Sequence, residues 1–165
     1  MSIATLILGS SGSGKSTSLR KLDPAKTLLI QCIKKPLPFR AAGWKLKLTA
    51  KSEGNVIQTS DPLLIEKMMR SQPQEIVVVD DYQAVMVNEL MNRSSEKGYD
   101  KFTDIGKHAW DIFNAAGALA ANRRVYILAH TTTDDFGQVR MKTVGKLVTS
   151  TSCPKGFSPS CCAPK

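Results

Sequence analysis

Long hydrophobic runs are missing from this sequence of 165 residues. Its longest apolar stretches, such as 76–79, are far shorter than the roughly 20 residues that a membrane-spanning helix needs. The N-terminal residues also lack the basic segment with which a secretory signal peptide begins. The sequence therefore predicts a cytoplasmic protein without membrane contact.

Zinc and disulfide patterns are also missing, although the chain has four cysteines. Cys32 lies in an apolar run and is expected to be an unreactive core residue. Cys153, Cys161 and Cys162 fall close to the C-terminus, with no histidine near them and no zinc-ligand spacing. Reduced thiols are therefore expected.

Acidic residues are scarce: 14 stand against 23 basic ones, which gives a net charge of +9. Between positions 34 and 51 there are six basic residues and no acidic residue, with Phe39 and Trp44 among them. This balance favours contact with a polyanion such as a nucleic acid. A solvated basic connection is an equally good interpretation of the segment.

Apolar strand-like runs alternate with helical patterns along the chain. Strands are predicted at 3–8, 27–32, 75–80 and 124–129, with a short one at 55–58, and helices at 14–22, 62–70, 82–93 and 102–116. Asp61 followed by Pro62 is a typical helix start. The alternation predicts an α/β fold with a mostly parallel sheet covered on both faces.

The composition changes near the C-terminus. Residues 131–146 are polar, and 149–165 consist mostly of Ser, Thr, Pro, Cys and Lys without periodicity. We expect one domain at 1–148 and a disordered or aberrant tail at 149–165.

A phosphate-binding motif directly follows the first predicted strand. Residues 9–16 read GSSGSGKS and fit the pattern G-x-x-x-x-G-K-S/T, with a helix expected to follow. Glycines let backbone N–H groups surround phosphate oxygens, Lys15 would reach the β and γ phosphates, and the Ser16 hydroxyl would bind Mg²⁺. The predicted cofactors are Mg²⁺ and ATP, or another nucleoside triphosphate. The predicted nucleotide-binding residues are Gly9, Ser10, Ser11, Gly12, Ser13, Gly14, Lys15, Ser16 and Thr17.

Two aspartates end the third long strand, in the stretch EIVVVDD at 75–81. Ligands of open parallel sheets lie at the carboxyl edge of the strands. Asp80 is therefore predicted to hold Mg²⁺ together with Ser16, and Asp81 to orient or deprotonate an attacking water. Alternatively, Asp81 only caps the next helix. His130 follows the fourth strand and could sense the γ phosphate, although a single histidine is more often structural.

The two motifs resemble those of RecA-like P-loop ATPases. The match is closer to a phage group, the AAA-type nucleotide-binding proteins related to single-strand annealing recombinases of the Sak type. The stretches that carry it are KKPLPFR (34–40), VVVDDYQAVMVNEL (77–90), FTDIGKHAWDI (102–112), LAHT (128–131) and KTVGKL (142–147).

This resemblance implies a three-layer RecA-like core and ATP hydrolysis stimulated by single-stranded DNA. It further implies assembly into a ring or filament and a role in phage recombination, in the cytoplasm of an infected bacterium. Two DNA-binding loops are implied near 94–101 and 132–145, with Phe136 stacking on a base and Arg140 neutralising a phosphate. Lys142 and Lys146 are candidates for reaching the γ phosphate of a neighbouring subunit.

The sequence departs from the family in two places. The position of the catalytic glutamate, at the end of the second strand, corresponds to Gln31, which cannot act as a base. Asp81 is then the substitute, and slow hydrolysis is expected. The family continues after position 147 with an apolar strand, whereas this chain continues with a polar tail, so a missing edge strand and a truncated or frame-shifted end are expected.

Two alternative functions remain open from the sequence. One is a non-enzymatic ATP-gated assembly module, which Gln31 favours. The other is a small P-loop nucleotide kinase, although the sequence contains no arginine cluster typical of a kinase lid.

Overall fold

The computed structural model describes residues 2–48, 52–133 and 137–144. Six strands and four α-helices lie within these ranges. The strands are β1 (Ile3–Gly9), β2 (Thr27–Gln31), β3 (Val56–Gln58), β4 (Ile76–Asp80), β5 (Arg124–Thr133) and β6 (Val139–Met141). The helices are α1 (Lys15–Ser18), which continues into a 3-10 turn at Leu19–Lys21, α2 (Pro62–Ser71), α3 (Gln83–Asn92) and α4 (Asp100–Ala118).

The strands form a mostly parallel sheet in the order β1-β5-β4-β2-β3, and β6 pairs antiparallel with the end of β5. Since β1, β5, β4 and β2 are parallel to one another, their carboxyl ends meet at one edge. Gly9 is paired with His130 and Gln31 with Asp80 in the ladder. Four of the singled-out positions are therefore brought to this edge by backbone pairing alone.

Alternating side chains of the strands supply two cores. Leu28, Ile30, Val77 and Val79 face one side, where they pack with residues of α2, α3 and α4. Leu29 and Val78 face the other side, where they pack with Leu19 and with half-buried residues such as Phe39 and Trp44. Helical structure thus lies on both faces of the sheet, and the predicted α/β class is confirmed in this coarse sense.

The long strands and the helices were predicted nearly to their ends, except that β5 continues past the predicted end at 129 to Thr133. The Asp61 carboxylate accepts hydrogen bonds from the N–H groups of Leu63 and Leu64, as expected of an N-cap. No strand was predicted beyond position 129, whereas residues 131–133 and 139–141 pair as the antiparallel hairpin of β5 and β6. Polar residues are tolerated there because this hairpin is largely exposed, so hydrophobic alternation gives no signal.

The opposite edge of β1 has no partner strand among the described residues. Ile3, the first residue of this edge strand, has an exposed side chain. The predicted tail at 149–165, including Cys153, Cys161 and Cys162, lies outside the described residues. Cys32 is buried, as predicted, and burial raises the pKa of its thiol, which keeps it protonated and unreactive.

Candidate functional site

The predicted phosphate loop is an exposed turn between β1 and α1. Gly12 and Gly14 have φ values of 76° and 87°. These values lie in the left-handed region, which glycine enters without the steric cost that a Cβ atom brings. Gly14 is also the residue before α1, so the loop opens directly onto the start of this short helix.

Lys15 folds back across the loop. Its Nζ donates hydrogen bonds to the carbonyl oxygens of Gly9, at 2.8 Å, and Ser10, at 2.9 Å. Burial lowers the pKa of Lys15, and the nearby Asp81 and Asp80 only partly counteract this effect. The ammonium group therefore lies in a partly desolvated place with neutral acceptors only, where an anion would stabilise it.

Ser16 and Asp80 meet although 64 positions separate them in the sequence. The Ser16 hydroxyl donates to the two carboxylate oxygens of Asp80, at 2.8 Å and 3.1 Å. Asp80 ends β4 and is fully buried. The strands β1 and β4 are not neighbours in the sheet, because β5 lies between them. The contact between Ser16 and Asp80 therefore also needs the turn that leads from β1 into α1.

Lys35 completes this cluster, and sequence reasoning missed its role. Its Nζ lies 3.1 Å from Asp80 Oδ2, 2.5 Å from Asp81 Oδ2 and 3.1 Å from Ser16 Oγ. Burial by itself lowers the pKa of Lys35, but hydrogen bonds and attraction to Asp81 and Asp80 outweigh it, and the pKa is raised. Lys35 is therefore not part of an exposed basic surface, contrary to its inclusion in the basic segment at 34–51.

A signal for Lys35 was present in the sequence. It follows β2 by four residues, and β2 is the neighbour of β4, so Lys35 starts near the carboxylates. Pro36 disfavours helical backbone at Lys35 and keeps the chain extended there. Without the strand order, however, the sequence could not show that β2 lies beside β4.

Asp81 has a backbone conformation that is unusual for a residue other than glycine, with φ of 57°. Such strain is uncommon and is tolerated best by Asp and Asn. Its side chain is nearly buried and contacts Lys35 and, at 3.3 Å, His130 Nε2. No side-chain cap is formed at the start of α3, so the capping alternative gains no support.

His130 lies within β5, next to the phosphate loop in the sheet. Its imidazole is 23% exposed, and its backbone N–H donates to Gln83 Oε1 at 3.2 Å. The ring thus reaches the same carboxylate cluster that Lys35 occupies. The structure brings His130 to the predicted site.

Gln31, at the end of β2, is buried, and both ends of its amide group are hydrogen-bonded. Its Nε2 donates to the carbonyl oxygen of Lys35 at 3.2 Å, and its Oε1 accepts from Gln58 Nε2 at 3.1 Å. This side chain positions the backbone of Lys35. As a neutral amide, it supplies no acidic group to the site.

A cavity of about 390 Å³ joins these elements. Its volume is within the roughly 300–1,000 Å³ of typical small-molecule sites. Its lining includes all of 11–17, and therefore Thr17 as well as Lys15 and Ser16, together with Asp81, His130, Ile33, Lys35, Pro36 and Pro38. Gly9 and Ser10 contribute the carbonyl groups that hold Lys15.

The donor set fits Mg²⁺. The Ser16 hydroxyl and the Asp80 carboxylate are oxygen donors, which this ion prefers, and the Lys35 ammonium shows that a cation is accommodated between them. No cluster of three or more His, Cys, Asp or Glu side chains with metal-binding geometry occurs in the described residues. Magnesium sites completed by nucleotide phosphates need only one or two carboxylates, so the two protein donors suffice.

The residues assigned to DNA contact are only partly described. Arg140 lies in β6, is exposed, and its Nη2 donates to Gln138 Oε1 at 2.9 Å. Lys142 is exposed as well, and its backbone N–H donates to the His130 carbonyl at 2.7 Å, which connects β6 with the site. Phe136 and Lys146 lie outside the described residues.

The two aromatic residues of the basic segment pack against each other and against the sheet. Phe39 and Trp44 contact each other edge to face, with ring centroids 6.2 Å apart, and pack beside Leu29 of β2 in the smaller of the two cores.

In the described part of the chain, no helix combines the length and apolar character needed to cross a bilayer.

The chain matches no model of a known protein family, and no curated protein matches it.

Proposed function

We propose that this protein binds ATP, or another nucleoside triphosphate, with Mg²⁺ through the loop at 9–16. The observation that carries the proposal is the contact between Ser16 and Asp80, 2.8 Å apart, beside Lys15. A glycine-rich turn alone is weak support. A lysine and a hydroxyl at the end of the loop that meet a buried carboxylate from a distant strand are much stronger support, because each has a distinct part in binding a metal-nucleotide complex.

Each side chain has a role in this proposal. Lys15 would exchange its two carbonyl acceptors for phosphate oxygens, and backbone N–H groups of the loop would bind the remaining oxygens. Ser16 and Asp80 would hold the metal. When bound, Mg²⁺ supplies positive charge that neutralises the phosphate oxygens.

Slow hydrolysis is part of the proposal. Asp81 is the carboxylate next to the metal pair, and His130 contacts it, so these two side chains would orient the attacking water. In the protein alone, Asp81 Oδ2 is held by Lys35 Nζ at 2.5 Å, and this oxygen must give up that contact before it can act on a water molecule. Gln31 supplies no alternative base.

We further propose that the domain is RecA-like and couples the nucleotide to single-stranded DNA in phage recombination, as a ring or filament within the host cytoplasm. Support comes from the parallel sheet flanked by helices and from the exposed basic hairpin that bonds to His130. Arg140 and Lys142 on that hairpin would meet backbone phosphates or a neighbouring subunit.

A second candidate is an ATP-gated module without turnover. The pairing of Asp81 with Lys35 and the bonded Gln31 favour it, since both weaken the case for a general base. Nucleotide binding would then control assembly only.

One experiment separates these functions. Binding of a fluorescent ATP analogue with Mg²⁺ is measured first, followed by phosphate release with and without single-stranded DNA. Binding with DNA-stimulated release supports the ATPase, binding without release supports the module, and absence of binding refutes both.

A further inference from the structure

The position of Lys35 has a consequence for how the metal enters the site. Its ammonium contacts Ser16 Oγ, Asp80 Oδ2 and Asp81 Oδ2 within 3.1 Å. The first two of these oxygens belong to the side chains assigned to the metal. A lysine ammonium and a magnesium ion cannot share these oxygens, because both would need the same space and both are positive.

The charges of the cluster also favour one cation at a time. Asp80 is fully buried and Asp81 nearly so, and two adjacent buried carboxylates without a cation are strongly destabilised. Lys35 supplies that cation in the protein alone. A divalent ion would supply more charge at the same point, and Lys35 is then free to turn toward the cavity that it already lines.

The local structure holds Lys35 for this task. Gln31 fixes its backbone carbonyl, and the side chain is 31% exposed, so the ammonium reaches the buried carboxylates from a partly open position. It can therefore leave without opening the core. Lys15, by contrast, is held by carbonyl oxygens and not by the carboxylates.

We propose that Lys35 occupies the divalent-cation position of the nucleotide-free protein and is exchanged for the metal when the metal-nucleotide complex binds. Lys35 thereby excludes free metal ions and makes the site selective for metal that arrives with phosphate. This inference rests on the proposed nucleotide function, because the phosphates provide the charge that draws Lys35 away.

The test uses the full chain and Mn²⁺ as the probe, with free Mn²⁺ measured by its electron paramagnetic resonance signal. Without nucleotide, the wild-type protein is expected to bind Mn²⁺ weakly, and Lys35→Met at least about tenfold more tightly, because the ion no longer displaces charge-assisted hydrogen bonds. Lys34→Met is the matched control, since it removes the same charge one residue away, on an exposed side chain that lines a different cavity. It should bind Mn²⁺ like the wild type.

Equal Mn²⁺ affinity of Lys35→Met and Lys34→Met would overturn the proposal. If Lys35→Met does not fold without its cation, Asp81→Asn with Lys35→Met is compared with Asp81→Asn alone, because this pair retains one carboxylate and one metal position. The double variant is then expected to bind Mn²⁺ about tenfold more tightly, and equal affinities would again refute the exchange.

Nucleotide binding distinguishes this failure from failure of the proposed function. If the wild-type protein binds the fluorescent ATP analogue equally well with and without Mg²⁺, Lys35 stays in place and the exchange is refuted, while nucleotide binding stands. If it binds no nucleotide under either condition, the proposed function fails, and the exchange fails with it.

Discussion

Replacing Lys15 with alanine tests the phosphate loop most directly. In the protein alone, Lys15 donates to two carbonyl oxygens, at 2.8 Å and 2.9 Å, and these neutral contacts must be given up when it turns to phosphate. The gain comes from charge. Two unit charges about 4 Å apart attract by about 4 kcal/mol in surroundings of intermediate polarity.

The expected loss of nucleotide affinity follows from the difference between these neutral contacts and the attraction to phosphate. The hydrogen bonds to carbonyl groups are replaced by hydrogen bonds to phosphate, so they largely cancel, and the Coulombic part remains. A loss of about 3–4 kcal/mol corresponds to a weakening of nucleotide affinity between about a hundredfold and a thousandfold. Lys15 is only partly buried, and its ammonium bonds only to carbonyl oxygens of the loop. Lys15→Ala should therefore fold normally.

The assay is a titration with a fluorescent ATP analogue in the presence of Mg²⁺. Lys21→Ala serves as the control, since this exposed lysine carries the same charge on the 3-10 turn after α1. Affinity of Lys21→Ala within about twofold of the wild type is expected, because exposed charges are screened by salt. An unchanged dissociation constant for Lys15→Ala would refute the assignment of the loop.

Three further substitutions address the other site residues. Asp80→Asn should reduce the gain in nucleotide affinity that Mg²⁺ provides by about tenfold or more, since the metal loses its charged ligand; affinity measured across a Mg²⁺ series checks this, and an unchanged gain would contradict it. Asp81→Asn should leave nucleotide binding intact and lower the rate of phosphate release by about a hundredfold. Asparagine tolerates the positive φ of this position, so the backbone should not change. A normal rate of release would show that Asp81 does not act on the water. Arg140→Ala should reduce the slope of log affinity for single-stranded DNA against log salt by about 0.7, the contribution of one phosphate contact; Arg70→Ala on α2 is the control, and equal slopes for the two variants would remove Arg140 from the interface.

Local signals in the sequence were sufficient for the buried strands and for two of the site's components. The run IVVV before Asp80 predicted both a buried strand and a carboxylate at its end, because β-branched residues favour strands and strands of a parallel sheet end at the ligand edge. The glycine spacing predicted the turn at 9–16. Both patterns lie within a few neighbouring residues, where sequence reasoning is strongest.

Contacts between distant segments could not be predicted in the same way. Lysine is a typical surface residue, and Lys35 lies between other basic residues in the sequence. Its charge therefore suggested a side chain that faces solvent or binds a phosphate. Only the pairing of β2 with β4 places it beside Asp80 and Asp81. The β5–β6 hairpin was missed for a related reason, since its exposed residues carry no hydrophobic periodicity.

Gln31 shows how the two kinds of information combine. As a sequence position it marks a departure from the glutamate that the RecA-like resemblance implies. In the structure it is paired with Asp80 in the ladder and bonds to the carbonyl of Lys35. An ionised glutamate at this buried position could not donate that hydrogen bond, and it would add a third negative charge beside two buried carboxylates. The presence of glutamine is therefore physically linked to the presence of Lys35: the neutral amide holds the lysine, and the lysine neutralises the charge that the aspartates bring.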